Sequence, residues 1–565
     1  MKKTNKLKNI SSRYTATFLV LFMFLLMSFT LSRDAKNNDD SFETVKNLDV
    51  FYSLYKELNL YYVDPIIPGD IIKTGIDAML KSLDPYTVYI PESKIEDIKF
   101  MTTGQYGGIG AVIRKREEYT IIYQPYEDSP AAIAGLEAGD IILKIDGRSV
   151  QNMSSEQVSE LLRGEPDTKV LLSIKTLGKD KPIEIEVIRQ EIKRNSVPYY
   201  GIIGDNNTGY IALSSFTNTA ASEVKDAFVD LKKEHDIKSL VLDLRGNPGG
   251  LLIEAVKICN LFVNKGELIV STKGKVAQWD KEYKASAEPL DAEIKLVVIV
   301  NRSSASASEI VAGCIQDLDR GVVIGQRTFG KGLVQTTRDL SYNGILKVTT
   351  AKYYIPSGRC IQALDYAHRN DDGSVGTIPD SIISEFSTKN GRKVFDGGGV
   401  SPDIDVEIEK LSMITSSLIV KDIIFDYANY YKFKNSQIAP VEDFVFTDKD
   451  FENFMEFIKD KEFDYKTKTE ETLNQLIESS KEEKYFAVAE QELETLTKKF
   501  AHDKDKDLRL FKEEIKEMLS QEIIVKYYYE KGGIIYGVKN DTEIKKAMNI
   551  LQDLQKYNGM LKPQN

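Results

Sequence analysis

The spacing of apolar residues divides the 565-residue chain into stretches of different predicted structure. From Phe42 to Leu83 the apolar positions follow a helical period, which the turn-like sequence LDPYT ends. Short strand-like runs, glycine-bearing turns and one helix-like segment, MSSEQVSELLRG, then follow within residues 97–188. This second pattern predicts a compact, partly open β-barrel.

A third pattern begins near Ile202 and continues to Val406. Apolar strands such as SLVLDL and KLVVIV alternate there with helical segments such as SEVKDAFVDLKKEH and EIVAGCIQDL. This alternation predicts parallel βαβ units. The remaining chain is rich in Lys and Glu with helical spacing, which predicts helices with solvated charged faces. A single hydrophobic core stops growing at roughly 250–300 residues, so we expect several domains.

The N-terminus has the pattern of an export signal. Its first thirteen residues carry five basic side chains and no acidic one, and the apolar run Thr15–Leu31 follows. A run of this length lies at the short limit for a spanning helix, so a cleaved peptide and a retained anchor both remain open. The basic flank should stay in the cytoplasm, which places the chain after about Arg33 outside it. Such an N-terminus suits the inner membrane of a Gram-negative cell, so we expect the protein in the cell envelope, on the periplasmic side, with residues 15–31 as an inner-membrane anchor if they are retained.

Charge and cysteine content narrow the choice of partners. The formal net charge is -11 and the pI is about 5.2, which argues against nucleic acid because phosphate binding needs a basic surface. The three cysteines, Cys259, Cys314 and Cys360, form a poor disulfide framework and are expected to be buried thiols. Proteins, peptides and small molecules remain as ligands.

Serines crowd the junction between a strand and a helix in NRSSASASEIVAG, residues 301–313. Ser306 and Glu309 have the spacing of a helix capping box, which needs no further function. A serine at such a turn also lies beside unpaired backbone N–H groups that suit a developing oxyanion. Its base could be Lys331 in GQRTFGKGLVQ, provided that the pKa of a lysine falls from about 10.4 towards neutrality. The three histidines, His235, His368 and His502, lie in no motif-like setting.

Four motifs together resemble the C-terminal processing peptidases, also called tail-specific proteases: LDLRGNPGG, SASASEIVAG, GQRTFGKGLVQ and TTAKYYIPSGRCIQ. GLEAGDIILKIDGRSV and GGIG resemble a PDZ domain. The resemblance implies a multidomain α/β fold, with a crotonase-like α/β protease core preceded by the PDZ domain (the partly open β-barrel) and with helical N- and C-terminal regions. The domains expected are a signal peptide or anchor at 1–33, a helical domain at 34–96, PDZ at 97–188, protease at 189–406 and a helical extension at 407–565.

The same resemblance implies an exported serine endopeptidase with a serine/lysine dyad and no metal or organic cofactor. Ser306 would be the nucleophile and Lys331 the general base, and Gln335 would orient the lysine. The oxyanion hole would consist of the backbone N–H groups of Gly250 and Ala307.

The PDZ domain is expected to bind the C-terminal tail of protein substrates by strand addition. The tail-binding residues would be Gly107, Gly108, Ile109, Gly110, Ala111 and Ile113. Because Ile109, Ala111 and Ile113 would frame the pocket, we expect an apolar tail. Arg163 at the end of the PDZ helix matches an arginine that reaches the catalytic glutamine in some relatives, so it could couple tail binding to catalysis. An adaptor or activator protein, the membrane at the N-terminus and a second copy of the chain are further partners considered.

Three other interpretations compete with this one. GQRTFGKG nearly matches a phosphate-binding P-loop, but Gly332 replaces the hydroxyl residue and LVQTTRDL predicts a strand instead of the required helix. A non-catalytic PDZ adaptor on a protease fold is the main alternative function. A metal hydrolase has less support, because the sequence contains no H-E-x-x-H motif or Cys/His cluster.

Overall fold

The structure is a computed structural model. It describes residues 42–204, 207–370, 372–407, 410–500 and 503–563. The predicted export segment Thr15–Leu31 lies outside these residues. The chain divides into two compact units, Met1–Pro85 and Tyr86–Asn565. Within the described residues, no helix combines the length and apolar character that a membrane crossing requires.

The described part of the first unit is helical, as its apolar period predicts. Residues 42–61 form α1 and Pro68–Lys81 forms α2. Pro68 lies in the first turn of α2, where its missing N–H costs no helical hydrogen bond.

An antiparallel sheet with its own apolar core occupies the region predicted as a small barrel. It is preceded by β1 (Val88–Ile90), which belongs to another sheet, and by α3 (Ile95–Thr103). Its own elements are β2 (Gln105–Gly108), β3 (Ala111–Arg116), β4 (Tyr119–Pro125), α4 (Pro130–Ile133), β5 (Ile141–Ile145), β6 (Arg148–Ser149), α5 (Ser155–Leu162), β7 (Lys169–Lys175), β8 (Ile183–Ile188) and β9 (Gln190–Lys193). The strand order is β3-β4-β5-β7-β8, with β6 on β5, while β2 pairs with β9. Strand β3 is therefore an edge strand of this sheet.

The protease-like region is built around a six-stranded sheet with the order β10-β11-β12-β15-β16-β23. The strands are β10 (Tyr199–Ile203), β11 (Thr208–Ala212), β12 (Ser239–Asp243), β13 (Leu268–Gly274), β14 (Lys281–Lys284), β15 (Lys295–Val300), β16 (Val322–Gly325), β17 (Leu333–Asp339), β18 (Ile345–Tyr354), β19 (Leu364–Arg369), β20 (Val375–Thr377), β21 (Glu385–Ser387), β22 (Lys393–Phe395) and β23 (Ile404–Asp405). The helices are α6 (Ala220–His235), α7 (Leu252–Asn260) and α8 (Ala307–Asp317). Every neighbouring pair in the sheet is parallel except β10 with β11, which confirms the predicted parallel βαβ units.

Both faces of the six-stranded sheet are covered, which explains why its strands are apolar without alternation. Leu240 and Leu242 of β12 pack in one core with helices α6, α7 and α8. Val241, which lies between them, packs in a second core on the opposite face. A separate antiparallel sheet, β1-β18-β13-β14 with β17 on β18, holds the chain that follows Lys331.

The C-terminal extension is helical, as predicted. Its helices are α9 (Met413–Val420), α10 (Ile423–Lys434), α11 (Asp448–Ile458), α12 (Lys468–Glu482), α13 (Phe486–Phe500), α14 (Lys504–Leu510), α15 (Lys512–Asn540), α16 (Thr542–Gln552) and α17 (Leu554–Met560). Helix α15 is interrupted at Tyr529, whose φ of 55° and ψ of −160° are not helical. Ile544 and Ile550 of α16 belong to the second core of the six-stranded sheet, so the extension forms part of that fold.

The cysteine prediction holds for two of the three residues. Cys259 and Cys314 are buried free thiols inside α7 and α8. Cys360 is a free thiol but is only partly buried, because it lies in the turn after β18 and outside the sheet.

Candidate active site

Ser306 lies at the start of helix α8, on the turn that follows strand β15. All residues of α8 are buried, whereas Ser306 is partly exposed. Its φ of 56° and ψ of −112° place it in a region that residues other than glycine rarely adopt. Backbone strain of this kind concentrates at functional sites, where the surrounding structure enforces it.

The carboxylate of Glu309 holds the backbone of Ser306 and of the Lys331 loop in place. It accepts hydrogen bonds from the N–H of Ser306 at 2.7 Å, of Gly330 at 2.7 Å and of Lys331 at 2.9 Å, and from the hydroxyl of Thr328 at 2.5 Å. Part of the predicted capping box is thus present, because the acid reaches back to the serine N–H. Burial raises the pKa of Glu309 to about 7, against the lowering effect of these four donors. One buried carboxylate therefore joins the serine turn to the Lys331 loop.

Tyr353 on β18 connects the same two segments a second time. Its hydroxyl donates to the carbonyl of Lys331 at 2.7 Å and lies 3.1 Å from the carbonyl oxygen of Ser306. The side chain is almost fully buried, and burial raises the pKa of Tyr353, so the phenol keeps the proton that it donates. The Lys331 Nζ lies 4.3 Å from the centre of the Tyr86 ring, within cation–π distance.

The glycine turn after β12 lies directly against Ser306. A Cβ added to Gly249 would lie 2.9 Å from both Ser306 Cβ and the nitrogen of Ala307. Asn247 ties this turn to the serine turn, because its carbonyl accepts from Ala305 N–H at 3.0 Å and from the Ser308 hydroxyl at 2.9 Å.

The two donors predicted for an oxyanion hole have free N–H groups. Within the described part of the chain, neither the N–H of Gly250 nor that of Ala307 donates a hydrogen bond. Gly250 has a φ of 151° and packs on Phe216, where it forms an isolated parallel bridge. The glycine turn and the serine turn thus each carry a backbone donor without a partner among the described residues, and Ser306 itself is partly exposed.

Gln335 and Arg163, which were predicted to meet when a tail is bound, have separate partners in the structure. Gln335 is in β17, and its Nε2 donates to Thr349 Oγ1 on β18 at 3.2 Å. Arg163 forms an ion pair with Asp97 of α3, and its guanidinium lies 5.5 Å from the centre of the Tyr106 ring. The structure thus pairs Arg163 with Asp97, while Gln335 bonds within its own sheet.

The predicted tail-binding residues surround the start of edge strand β3. Gly107 and Gly108 are in β2, and Gly110 follows with a φ of 74°. Ile109 is 3% exposed and belongs to the apolar core of the domain. Ala111 and Ile113, on β3, are partly buried against that core.

The structure gives no support to two of the competing interpretations, the P-loop and the metal hydrolase. The residues after Lys331 form strand β17, whereas a P-loop continues as a helix. Across the described ranges, no group of three or more His, Cys, Asp or Glu side chains is arranged to hold a metal ion.

Three protein-family models match parts of the chain. "Peptidase family S41" matches residues 207–368, "PDZ domain" matches 121–176, and "Probable PDZ-protease, C-terminal helical domain" matches 414–551. A carboxy-terminal-processing protease from Bartonella bacilliformis is 37% identical over 373 residues, which cover 65% of this chain and 82% of that protein. The chain belongs to the carboxy-terminal-processing protease family. The resemblance predicted from its motifs and the predicted fold class are both confirmed.

Further relatives of this carboxy-terminal-processing protease are named serine proteases. A probable CtpA-like serine protease from Staphylococcus haemolyticus is 38% identical over 310 residues, covering 54% of this chain and 61% of that protein. Its counterpart in Staphylococcus aureus is 35% identical over 320 residues, with coverages of 56% and 62%. Among solved structures, a photosystem II D1 C-terminal processing protease has 28% identity, a TM-score of 0.34 and coverages of 63% and 92%. The family models and the named relatives, taken together, identify the protein as a PDZ-containing serine protease.

Several residues of this protease's candidate site had no signal of their own in the sequence. Glu309 had the pattern of a cap, and its contacts with the Lys331 loop join positions 22 residues apart. Tyr353 lies in the motif TTAKYYIPSGR, but nothing in that motif indicates a role for it. For Gly249 a signal exists, since it is the first glycine of NPGG, but the motif does not show which of its two glycines contacts the serine.

Proposed function

We propose that this carboxy-terminal-processing protease cleaves protein substrates with Ser306 as nucleophile and Lys331 as general base. The observation that carries the proposal is the double connection between the two residues. Glu309 accepts from both backbone N–H groups, and the Tyr353 hydroxyl lies at both backbone carbonyls. Such a connection fixes the spacing of the two residues, as a nucleophile and its base require.

In the first half of the reaction, Ser306 Oγ attacks the scissile carbonyl carbon while its proton passes to the neutral amine of Lys331. The C–O bond that forms converts the carbonyl oxygen to an oxyanion, which accepts from the N–H groups of Ala307 and Gly250. A donor of this kind typically contributes about 3–4 kcal/mol to the stability of the transition state. When the intermediate collapses, the C–N bond breaks and the Lys331 ammonium protonates the leaving amine.

In the second half, Lys331 removes a proton from water, which attacks the acyl carbon. Breakdown of the second tetrahedral intermediate returns the proton to Ser306 Oγ and releases the carboxylic acid product. Gln335 would orient the lysine from β17, and the reaction needs no cofactor.

The PDZ domain would select substrates by their C-terminal tails. An extended tail adds to the free edge of β3, its carboxylate bonds to the loop Gly107–Gly110, and its last apolar side chain lies near Ala111 and Ile113. The position of β3 at the edge of the sheet supports this mode, because an edge strand has unpaired backbone groups.

Arg163 would couple tail binding to the dyad by leaving its ion pair with Asp97 and binding Gln335 when a tail is bound. If so, Arg163→Ala abolishes the stimulation of cleavage by an apolar tail and leaves tail binding intact. Unchanged stimulation in Arg163→Ala would contradict the coupling.

The proposed division of the chain is an export segment at 1–33, a helical domain at 34–96, PDZ at 97–188, the protease at 189–406 and a helical extension at 407–565. The protease would act on the periplasmic side of the cell envelope, anchored by residues 15–31 if that segment is retained. Cell fractionation with an antibody to the extension would test this location.

The central experiment compares wild type, Ser306→Ala and Lys331→Ala, each produced from Asp34 onward, on an unfolded reporter protein. The reporter ends in either an apolar or a charged tail. Cleavage by wild type alone, and faster with the apolar tail, is the expected result. Equal cleavage by all three proteins would rule out the dyad. Tail binding without cleavage by wild type would instead favour the non-catalytic PDZ adaptor or the need for an activator protein.

A further inference from the structure

Arg245 is the last side chain before the glycine turn of the candidate oxyanion hole, and it is largely buried. Its guanidinium is hydrogen-bonded to Asp243, the last residue of strand β12. The Arg245 Nε lies 3.0 Å from both carboxylate oxygens of Asp243, and its Nη2 lies 2.6 Å from Oδ2. These bonds leave Nη1 for a partner outside the protease core.

That partner is the C-terminal extension. The Nη1 of Arg245 lies 2.5 Å from Oδ2 of Asp541 and 2.5 Å from Oε2 of Glu543, almost 300 residues further along the chain. Glu543 is 3% exposed, and its second oxygen, Oε1, is buried without a hydrogen-bond partner in the described part of the chain. Gly325 of β16 provides the space for it, since a Cβ there would lie 3.1 Å from Oε1.

Asp541 joins this cluster to the start of helix α16. Its Oδ1 caps the helix by accepting from Ile544 N–H at 2.9 Å, while Oδ2 bonds to Arg245. The helix is fixed to the sheet by Ile544, Ala547 and Ile550, which pack in the core on that face. Beyond it, the hydroxyl of Tyr557 in α17 bonds to the backbone of Leu296 in β15. The two carboxylates are therefore held in place by packing on the sheet.

The cluster ends where the candidate oxyanion turn begins. Gly246 N–H donates to Asn301 Oδ1 at 3.0 Å, and Gly249 N–H donates to Asn247 Oδ1 at 2.8 Å. A shift of Arg245 would move Gly246 and, through it, the turn that lies against Ser306. Catalysis is sensitive to such shifts, because a displacement of about 1 Å can lower a rate by about 100-fold.

We infer that Asp541 and Glu543 are positioning residues of the protease, by which the C-terminal extension holds Arg245 and so sets the geometry of the oxyanion turn. The inference rests on the proposed function, since it needs Ser306 to be the nucleophile beside that turn. It makes the last helices of the extension a component of the active site, distinct from any role in docking or assembly.

The test uses the chain from Asp34 onward with Asp541→Asn, Glu543→Gln and the double variant. Asn remains a good helix N-cap, so the start of α16 is preserved while the ion pair is weakened. The matched control is Asp553→Asn, because Asp553 caps α17 through Lys556 N–H but forms no ion pair with an arginine of the described residues. The measured quantities are kcat, KM, the thermal unfolding midpoint, and the Ki of a peptide boronic acid whose tetrahedral adduct places an oxygen in the oxyanion hole.

The double variant should lose about tenfold or more in kcat and a similar factor in boronate affinity, with KM and the unfolding midpoint close to wild type. The control should match wild type in all four. Amide hydrogen exchange gives a reading independent of catalysis: the peptide covering residues 246–250 should exchange faster in the double variant only. A purely structural role would instead lower the unfolding midpoint and alter KM together with kcat.

Wild-type kcat and boronate affinity in the double variant would overturn the inference while leaving the proposed function intact, provided that Ser306→Ala is inactive. If Ser306→Ala cleaves as fast as wild type, the proposed function fails and the inference fails with it.

Discussion

At the scale of single residues, Glu309 is a buried acid whose two oxygens face four donors. Three of the donors are backbone N–H groups from two separate loops. Only an ionised carboxylate can accept from all of them without adding a proton of its own. The shape of the candidate site therefore depends on the ionisation of a residue that does not react.

Glu309 should make the stability of the protein depend on pH between about 4.5 and 7. Its pKa rises from 4.5 to about 7 on burial, so the folded state binds a proton that the unfolded state has lost in this range. The free energy of unfolding should fall by about 3 kcal/mol as pH rises through this window and then level off. Thermal unfolding of wild type and Glu309→Gln from pH 4.5 to 8 checks it, because the Gln variant should lack this component. Parallel curves for the two proteins would contradict the assignment.

The Tyr353 hydroxyl should contribute to catalysis through the Ser306 and Lys331 backbones. Tyr353→Phe keeps the buried ring and removes one hydrogen bond, worth about 1 kcal/mol, so kcat should fall by roughly fivefold with KM unchanged. The control is Tyr354→Phe, since Tyr354 is partly exposed and its ring lies near Lys273. Steady-state kinetics on the tailed reporter separate the two. Equal kcat values in both variants would show that the hydroxyl has no role.

At the scale of elements, the site is the meeting point of a helix start and two loops. Strand β15, helix α8 and strand β17 follow from local apolar patterns, and the serine and lysine follow from motifs at their junctions. The closeness of the NPGG turn to α8 follows only from the pairing of β12 with β15, which places both carboxyl ends at one edge. That pairing is a tertiary contact, so residue spacing did not identify Gly249 as the glycine in contact with Ser306.

Gly249→Ala should inactivate the enzyme, because the added Cβ would clash with the start of helix α8. The new Cβ would lie 2.7 Å from Ala305 O and 2.9 Å from Ala307 N, at a φ of +98°. The activity should fall by about 100-fold or more, because the added atom displaces the oxyanion donors. Gly246→Ala is the control, since its φ of +69° also suits glycine but its Cβ would meet nothing within 4 Å. The control should cost only of order 1 kcal/mol of backbone strain. Similar kcat/KM values for the two variants would refute a steric effect at Ser306.

At the scale of the whole molecule, sequence patterns identified the helical extension but not its contacts. The carboxylates of Asp541 and Glu543 have no distinguishing pattern among many Lys and Glu residues, and their partner Arg245 lies in another domain. The same holds at the start of helix α10, where Asp422, just before the helix, pairs with Arg114 of the PDZ edge strand, and Asp426, in its first turn, pairs with Arg116. Local periodicity predicts a helix and its apolar face, whereas the choice of a charged partner depends on how the domains pack.

The contact between α10 and the PDZ domain should transmit tail binding to the protease core. Arg116 bonds to both oxygens of Asp426 at 2.7 and 2.8 Å, on the strand that would receive the tail. Arg116→Asp replaces this attraction by repulsion and should weaken the contact by about 1 kcal/mol, because the pair is only partly buried. The stimulation of cleavage by an apolar tail should then fall about fivefold, with the Kd of a tail peptide unchanged.

Swapping the charges of Arg116 and Asp426 tests whether the effect comes from this ion pair. Asp426→Arg in the Arg116→Asp background restores opposite charges and should recover most of the stimulation, although Asp422 will then pair with the new arginine as well. Fluorescence anisotropy of a labelled tail peptide and cleavage of the tailed reporter measure binding and stimulation separately. A loss of peptide affinity in Arg116→Asp that the exchange does not repair would mean that Arg116 belongs to the tail site itself. The helical extension would then have no part in coupling that site to Ser306.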